Sequence, residues 1–335
     1  MEERIDIVIP WVDSSDSAWR KEKNKYAQIE NHPELIDDSE ARFRDWGTVK
    51  YLLRSIEKYT PWVNKVYFIT WGHIPKWMNV KSDKLIIVKH EEYIPEVYLP
   101  TFCSHVIELN LHRIPGLSER FIYLNDDHII MNEMDKSCFF KNGLPRDYAI
   151  LSPINTRLRN GVQDVALTDV EVINDHFKKK DVIRRNFFKW VNPVYGKELF
   201  RSFCMMPWPY FTGFFTRHQS TAYLKSTFEE LWDIEYQTLD RTCRHRFRSR
   251  RDVNQWVIRY WQMANGNFMP IRPFGKNFTI NNDNKELLDE IDTSKELMIC
   301  INEDRTDRIV DFEKTKSTIN SHLELKFHKK SSFEL

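Results

Sequence analysis

Through the first 125 residues, short apolar runs alternate with stretches of helical periodicity. Ile5 to Ile9 is a β-branched run that ends at Pro10 and opens onto Trp-Val-Asp-Ser-Ser-Asp, Trp11 to Asp16, which predicts a buried strand followed by a polar loop. From Phe43 to Tyr59 the apolar positions Trp46, Val49, Leu52, Leu53 and Ile56 recur at helical spacing, and Pro61 lies just beyond, so a helix is predicted to end near Tyr59. Val66 to Thr70 and Leu85 to Val88 read as two more buried strands, and His105 to Arg113 as a helix that stops at Pro115-Gly116. Phe121 to Leu124 is a fourth strand, with Asn125-Asp126-Asp127 at its carboxyl end. The alternation argues for a mostly parallel sheet covered on both faces, and such sheets bind ligands at the carboxyl ends of their strands. Asp13 and Asp16 at one strand end and Asp126 and Asp127 at another therefore offer carboxylates to one crevice.

Beyond residue 140 the periodicity is mainly helical. Residues 155–200 form a long amphipathic stretch carrying the basic runs Lys178-Lys179-Lys180 and Arg184-Arg185. Residues 217–237 and 252–265 read as further helices, the first opened by His218, and the segment after Asp311 as a terminal helix that frays. The economical division is an α/β part at 1–140, a helical part at 141–311 that completes the site, and a tail at 312–335.

The 335 residues are 41% hydrophobic, enough for a large core, which excludes global disorder. Fifty bases against 49 acids give +1, so net charge supplies no ground for a nucleic-acid or membrane partner, and any electrostatic site must be local. Nine glycines and no GxGxxG or GxxxxGK[ST] leave no room for a glycine-rich phosphate loop. The five cysteines are far apart, form no CxxC, and read as reduced thiols of a cytoplasmic protein. Neither a signal peptide nor a membrane-spanning run is evident.

Three segments can carry chemistry. Asn125-Asp126-Asp127 after a hydrophobic strand offers hard oxygen ligands that suit Mg²⁺ or Mn²⁺ against a diphosphate, although a capped turn would look the same. RTCRHRFRSRRD, Arg241 to Asp252, holds guanidinium groups that fork onto phosphate oxygens, with an RNA patch or a solvated basic face as the rivals. His218 follows the aromatic run Trp208 to Phe215, which packs a core, stacks on sugars or touches a membrane.

Four blocks in order tie these segments together: IDIVIPWVDSSD (Ile5 to Asp16), a second from Arg42 to Met131 that includes IYLNDDHIIM, a third from His218 to Asp252, and CINED (Cys300 to Asp304). In these blocks the chain resembles the Stealth proteins, hexose-1-phosphate transferases of bacterial capsule and cell-wall polysaccharide synthesis. Ser14, Cys103, the Gln-Ser after His218 and the form CINED depart from the family pattern, the last leaving open whether Glu303 or Asp304 takes the acidic role.

The resemblance implies a fold of class α/β, with a mostly parallel, glycosyltransferase-A-like nucleotide-sugar sheet and a helical C-terminal part. It implies transfer of sugar-1-phosphate from a UDP-sugar to a hydroxyl of a polysaccharide or lipid-linked glycan acceptor, releasing UMP. His218 would take the acceptor proton, with Asp127 the competing base, and Arg248 would grip the moving phosphoryl group. Asp126, Asp127 and Asp304, with Asp13 a further candidate, would hold Mg²⁺ or Mn²⁺, and Trp11, Val12, Asp13, Arg44, Glu108, Asn125, Arg246 and Asn302 would line the donor pocket. No nucleic acid is expected, and a peripheral contact with the inner face of the cell membrane stays open. The alternatives are a conventional metal-dependent glycosyltransferase, which releases UDP, and a non-catalytic glycan-binding protein, which shows no cation-dependent turnover.

Overall fold

The computed structural model describes residues 4–30, 44–155, 162–303 and 309–335. Its central sheet holds β1 (Ile5–Pro10), β2 (Val66–Thr70), β3 (Leu85–Lys89), β4 (Arg120–Tyr123) and β8 (Thr221–Leu224), in the order β3-β2-β1-β4-β8. The first four run parallel, and β8 is antiparallel to β4. Two small sheets flank it, one of β10 (Lys276–Ile280), β11 (Met298–Glu303) and β5 (His128–Ile130), the other of β6 (Phe140–Lys141), β7 (Leu144–Asp147) and β9 (Met269–Pro270). Each also pairs one neighbour parallel and one antiparallel, so the architecture is α/β with mixed sheets.

β1 is central because apolar side chains lie on both its faces, buried Asp6 being the exception. Ile5, Ile7 and Ile9 pack with Leu52, Leu53 and Ile56 of helix Val49–Tyr59, whereas Val8 points the other way, towards Tyr67 and Tyr123. That helix spans Val49–Tyr59 and ends at the predicted residue; Phe43 lies outside the described residues. Gly47 turns the chain at φ +74° ahead of it, and Trp46 leaves the helix face to pack on Phe312, ring centroids 4.8 Å apart.

The helix expected over 217–237 is corrected too. Thr221–Leu224 is the edge strand β8, helix Lys225–Ile234 follows, and His218 sits in the loop before β8. Four residues are too few for periodicity to separate a strand from a helix turn, and the choice is made by the free edge of β4. The long 155–200 stretch divides into helices Val162–His176, Lys179–Arg185, Phe187–Trp190 and, past 197, Glu198–Met205.

The terminal helix Phe312–Lys326 does not fray. Asp311 caps it by accepting from the Lys314 amide, and the chain beyond it returns to helix Val49–Tyr59. Buried Arg54 forks onto Glu334 (2.7 and 2.8 Å) and reaches Glu324 (2.9 Å), while Phe333 enters the core. Glu334→Ala leaves the guanidinium buried without its main partner, and a loss of about 3 kcal/mol in chemical denaturation is expected. A change within a few tenths would show that the tail contributes nothing.

Candidate functional site

The carboxyl ends of β1 and β4 are neighbours, so the loops that follow them share one crest of the sheet. After β1, Trp11 is buried and lies edge-on to His73, 5.2 Å between ring centroids. The Asp13 amide donates to His73 Nε2 at 2.8 Å. Asp13 Oδ1 accepts from the Ser15 amide, and Asp16 Oδ1 caps helix Ser17–Glu30 at the Trp19 amide. Asp16 is thus a capping residue, and Asp13 is tied into its own turn. Val12 packs with Trp19, Phe102 and Phe247, which brings the first loop against the arginine segment.

After β4, Asn125-Asp126-Asp127 forms a turn closed from both sides. The Asn125 amide donates to His128 Nδ1 (2.9 Å), and the His128 amide donates to the Asn125 carbonyl (3.2 Å). The Asp126 carbonyl accepts from Thr48 Oγ1 and the Asp127 carbonyl from the Ile301 amide, so the turn is pinned by two other elements. His218 stands over it: Nε2 is 2.5 Å from Asn125 Nδ2, and Nδ1 is 3.4 Å from Asn302 Nδ2. Residues from three of the four blocks, Asn125, His218 and Asn302, thereby meet around one imidazole. Burial and the neighbouring charges of Asp127 and Asp45 push the Asp126 carboxyl up to about 8. Asp127 Oδ1 is buried without a hydrogen-bond partner.

That unpartnered oxygen, with a second carboxyl held back from ionising, fits a divalent cation. Asp127, His128, His218 and Cys300 all place a ligand-type atom within 4.8 Å of one another. The hydrogen bonding selects among them. His128 Nδ1 accepts an amide proton, so its neutral ring carries the proton on Nε2, and burial keeps it neutral by lowering its pKa to about 4. Burial also raises the Cys300 thiol well above its usual range. Asp127 and His218 remain of the four, and with the adjacent Asp126 the turn offers carboxylate oxygens to a hard cation. Asp304 lies outside the described residues. Glu303 is engaged by Arg44 at 2.7 Å, a pairing that sequence reasoning missed, and Arg44 also lies over the Phe312 ring.

A second cluster surrounds Arg248. Its Nη2 donates to Ser104 Oγ at 2.9 Å, and Phe247 stacks on Phe102, ring centroids 5.4 Å apart. Buried Glu108 accepts from Tyr123 Oη at 3.0 Å, and burial raises its pKa against the pull of His105 and Arg248. Tyr123 ends β4, so this cluster and the acidic turn are joined through one strand. Arg246 is placed elsewhere, against Glu30 (3.1 Å) and the Tyr26 ring.

Asp252, absent from the residues singled out in the sequence, organises the arginine loop. Its carboxylate accepts from His105 (3.1 Å), His245 (2.7 Å) and the Ser249 amide (2.8 Å). Burial works against the charge on His105, but Cys103 and Asp252 overcome it and lift the ring to about 10. A histidine raised in the fold stabilises fully below its unfolded pKa of about 6.5, and that contribution is lost as pH rises through about 10. Asp252→Asn should therefore cost about 3 kcal/mol at pH 6 and much less at pH 10. Equal losses in denaturation at the two values would remove His105 from the account.

Models of two conserved regions of the Stealth proteins match the chain, region 1 over residues 3–29 and region 2 over residues 42–147. A capsular polysaccharide phosphotransferase WcwK of Streptococcus pneumoniae is 43% identical over 333 residues, 99% of this chain and 98% of the relative. An exopolysaccharide phosphotransferase cps2G of Lactiplantibacillus plantarum is 37% identical over 98% of this chain and 96% of its own. The receptor polysaccharide phosphotransferase WefC of Streptococcus gordonii is 35% identical over the full length of both.

Proposed function

The chain belongs to the Stealth family, and from that premise we propose that it transfers sugar-1-phosphate from a UDP-sugar to a hydroxyl of a growing surface glycan, releasing UMP. The observation that carries the reading is the meeting of the Asn125–Asp127 turn with His218 on the crest of the sheet. We read the central sheet, with its antiparallel last strand, as glycosyltransferase-A-like. Residues 1–140 would bind the donor, and 141–311 would bring His218 and Arg248 to it. Five cysteines, all unpaired, favour the reducing cytoplasm, where nucleotide-sugars are made.

Attack falls on the phosphorus that bears the sugar, with UMP leaving in line. Asp126 and Asp127 would hold Mg²⁺ or Mn²⁺, which supplies charge neutralisation on the diphosphate. Arg248 grips the phosphoryl oxygens that stay with the sugar. His218 accepts the hydroxyl proton. Its Asn302 contact is the longer of the two, so Nδ1 is the nitrogen a hydroxyl can reach; in that role Nε2 carries the proton, and the Asn125 amide, whose Nδ2 lies 2.5 Å away, would turn to present its oxygen. Trp11 and the His73 loop close the donor end.

The nucleotide product tests this directly. After incubation with a panel of UDP-sugars and acceptor glycans, UMP and a phosphodiester signal in phosphorus NMR are expected. UDP and no phosphodiester would assign a conventional glycosyltransferase. His218→Ala is expected to lower kcat by about a hundredfold with donor affinity unchanged in calorimetry. Lost donor affinity with kcat unchanged at saturating donor would make His218 a phosphate ligand instead.

A further inference from the structure

We propose that the face built by helices Lys179–Arg185, Phe187–Trp190 and Glu198–Met205, with the turn at Trp208–Tyr210, docks on an anionic lipid bilayer. The face is apolar where water should make it polar. Phe188 is 81% exposed and Phe200 72%, and Phe187, Phe203, Trp208 and Tyr210 are each about half exposed or more. Helix Glu198–Met205 is turned outward: Ser202 is buried and accepts from the Leu151 amide, while Phe200, Phe203 and Cys204 share the outer side at spacings of three and four. A solvated helix would show the reverse.

The aromatic run after it explains why this is not a core left unfinished. Phe211 and Phe214 do enter the core, beside Trp190, whereas Trp208 and Tyr210 stay outside. The helices are also fastened to one another, since the buried Lys179 ammonium donates to the Met205 and Met206 carbonyls. The exposed rings are thus held in place.

Charge identifies the partner. Residues 178–201 carry eight bases against two acids in a chain whose net charge is +1. Lys178, Lys180, Arg184, Arg185 and Lys197 are exposed among the aromatics. Beside Lys180 and Arg184 lies an open hollow of about 460 Å³ lined by Ile183, Phe187 and Met206, a shallow apolar well with a cationic rim. Aromatic rings at the depth of the headgroups, with bases around them, are the pattern of a protein that lies on a membrane surface. Phosphate headgroups satisfy the rim, and an acyl chain satisfies the well. A protein partner would need its own acidic and apolar surface to do both. The proposal stands on this face alone and is independent of the transfer reaction.

The full chain is sedimented with vesicles of phosphatidylcholine, and of phosphatidylcholine mixed with phosphatidylglycerol, at low and high salt. Pelleting with the anionic vesicles only, and less of it at high salt, is expected. Lys180→Gln with Arg184→Gln should weaken that partition roughly thirtyfold, two bases having been removed from the surface. Phe188→Ser with Phe200→Ser should reduce it to background, and both pairs should melt with the wild type because the side chains are exposed. No pelleting of the wild type at low salt, or pelleting that neither pair alters, would overturn the proposal. So would a wild-type dimer that the phenylalanine pair converts to monomers, because the face would then belong to a second copy of the chain.

Discussion

Replacing Arg248 by Lys is expected to slow transfer by about a thousandfold or more, the scale on which phosphoryl transfer depends on an arginine at the transition state. A lysine keeps the charge but not the planar fork, and the fork is what can hold two oxygens of a group in flight. The environment supports this role. Arg248 is half-buried, and one of its nitrogens is set by Ser104 Oγ at 2.9 Å. Its loop is fixed by the stack of Phe247 on Phe102 and by the bonds of Asp252. Arg250, two residues on, lies 3.8 Å from Asp164 and is largely exposed. Arg250→Lys should therefore leave kcat within about twofold of wild type, because such an exposed pair contributes little. Both variants are compared at saturating donor, with donor affinity measured separately. Equal defects would mean that the run acts as a diffuse basic surface, and the assignment of Arg248 would fall.

Most of what positions the site is legible in the amino-acid sequence. The runs at Ile5, Val66, Leu85 and Phe121 form strands because each is apolar on both faces, and a strand buried on both sides has few alternatives. The turn at Asn125–Asp127 follows from its place at the end of such a run. What escapes the sequence depends on partners distant along the chain. Asp16 looks like a site carboxylate until its side chain is seen to cap the helix that begins at the next residue, at the Trp19 amide. Thr221–Leu224 becomes a strand only because β4 has an edge to fill. The tail looks like a fraying helix because the residues that fasten it, Arg54 with Glu324 and Glu334, are some 270 to 280 positions apart. Asp252 is one acid at the end of a basic run, and nothing local marks it as the acceptor for two histidines. His218 owes its weight to the family resemblance, and the sequence does not show that Asn125 and Asn302, 177 positions apart by number, flank its ring.

Asp127→Asn is expected to lose cation-dependent turnover altogether while gaining stability, and the second effect separates it from a simple folding defect. In the wild type, burial and the charges of Asp127 and Asp45 raise the Asp126 carboxyl to about 8. A carboxyl raised in the folded state opposes folding, and the penalty begins above its unfolded pKa of about 3.9 and grows until pH passes about 8. Asparagine keeps the volume and removes one of the repelling charges. Without added cation the variant should melt above the wild type at pH 8, and the two should converge towards pH 4. With Mg²⁺ or Mn²⁺ the order reverses, since only the wild type can bind the ion and be stabilised by it. Calorimetric titration with Mn²⁺ should then give heat with the wild type and none with Asp127→Asn. Charge neutralisation at a phosphoryl centre is worth several kcal/mol, so turnover should fall by at least about a thousandfold. Full wild-type activity in excess EDTA would end the cation assignment. If the variant also melted below the wild type at pH 8 without cation, Asp127 would be a structural acceptor, and the acidic turn would hold the fold and not the diphosphate.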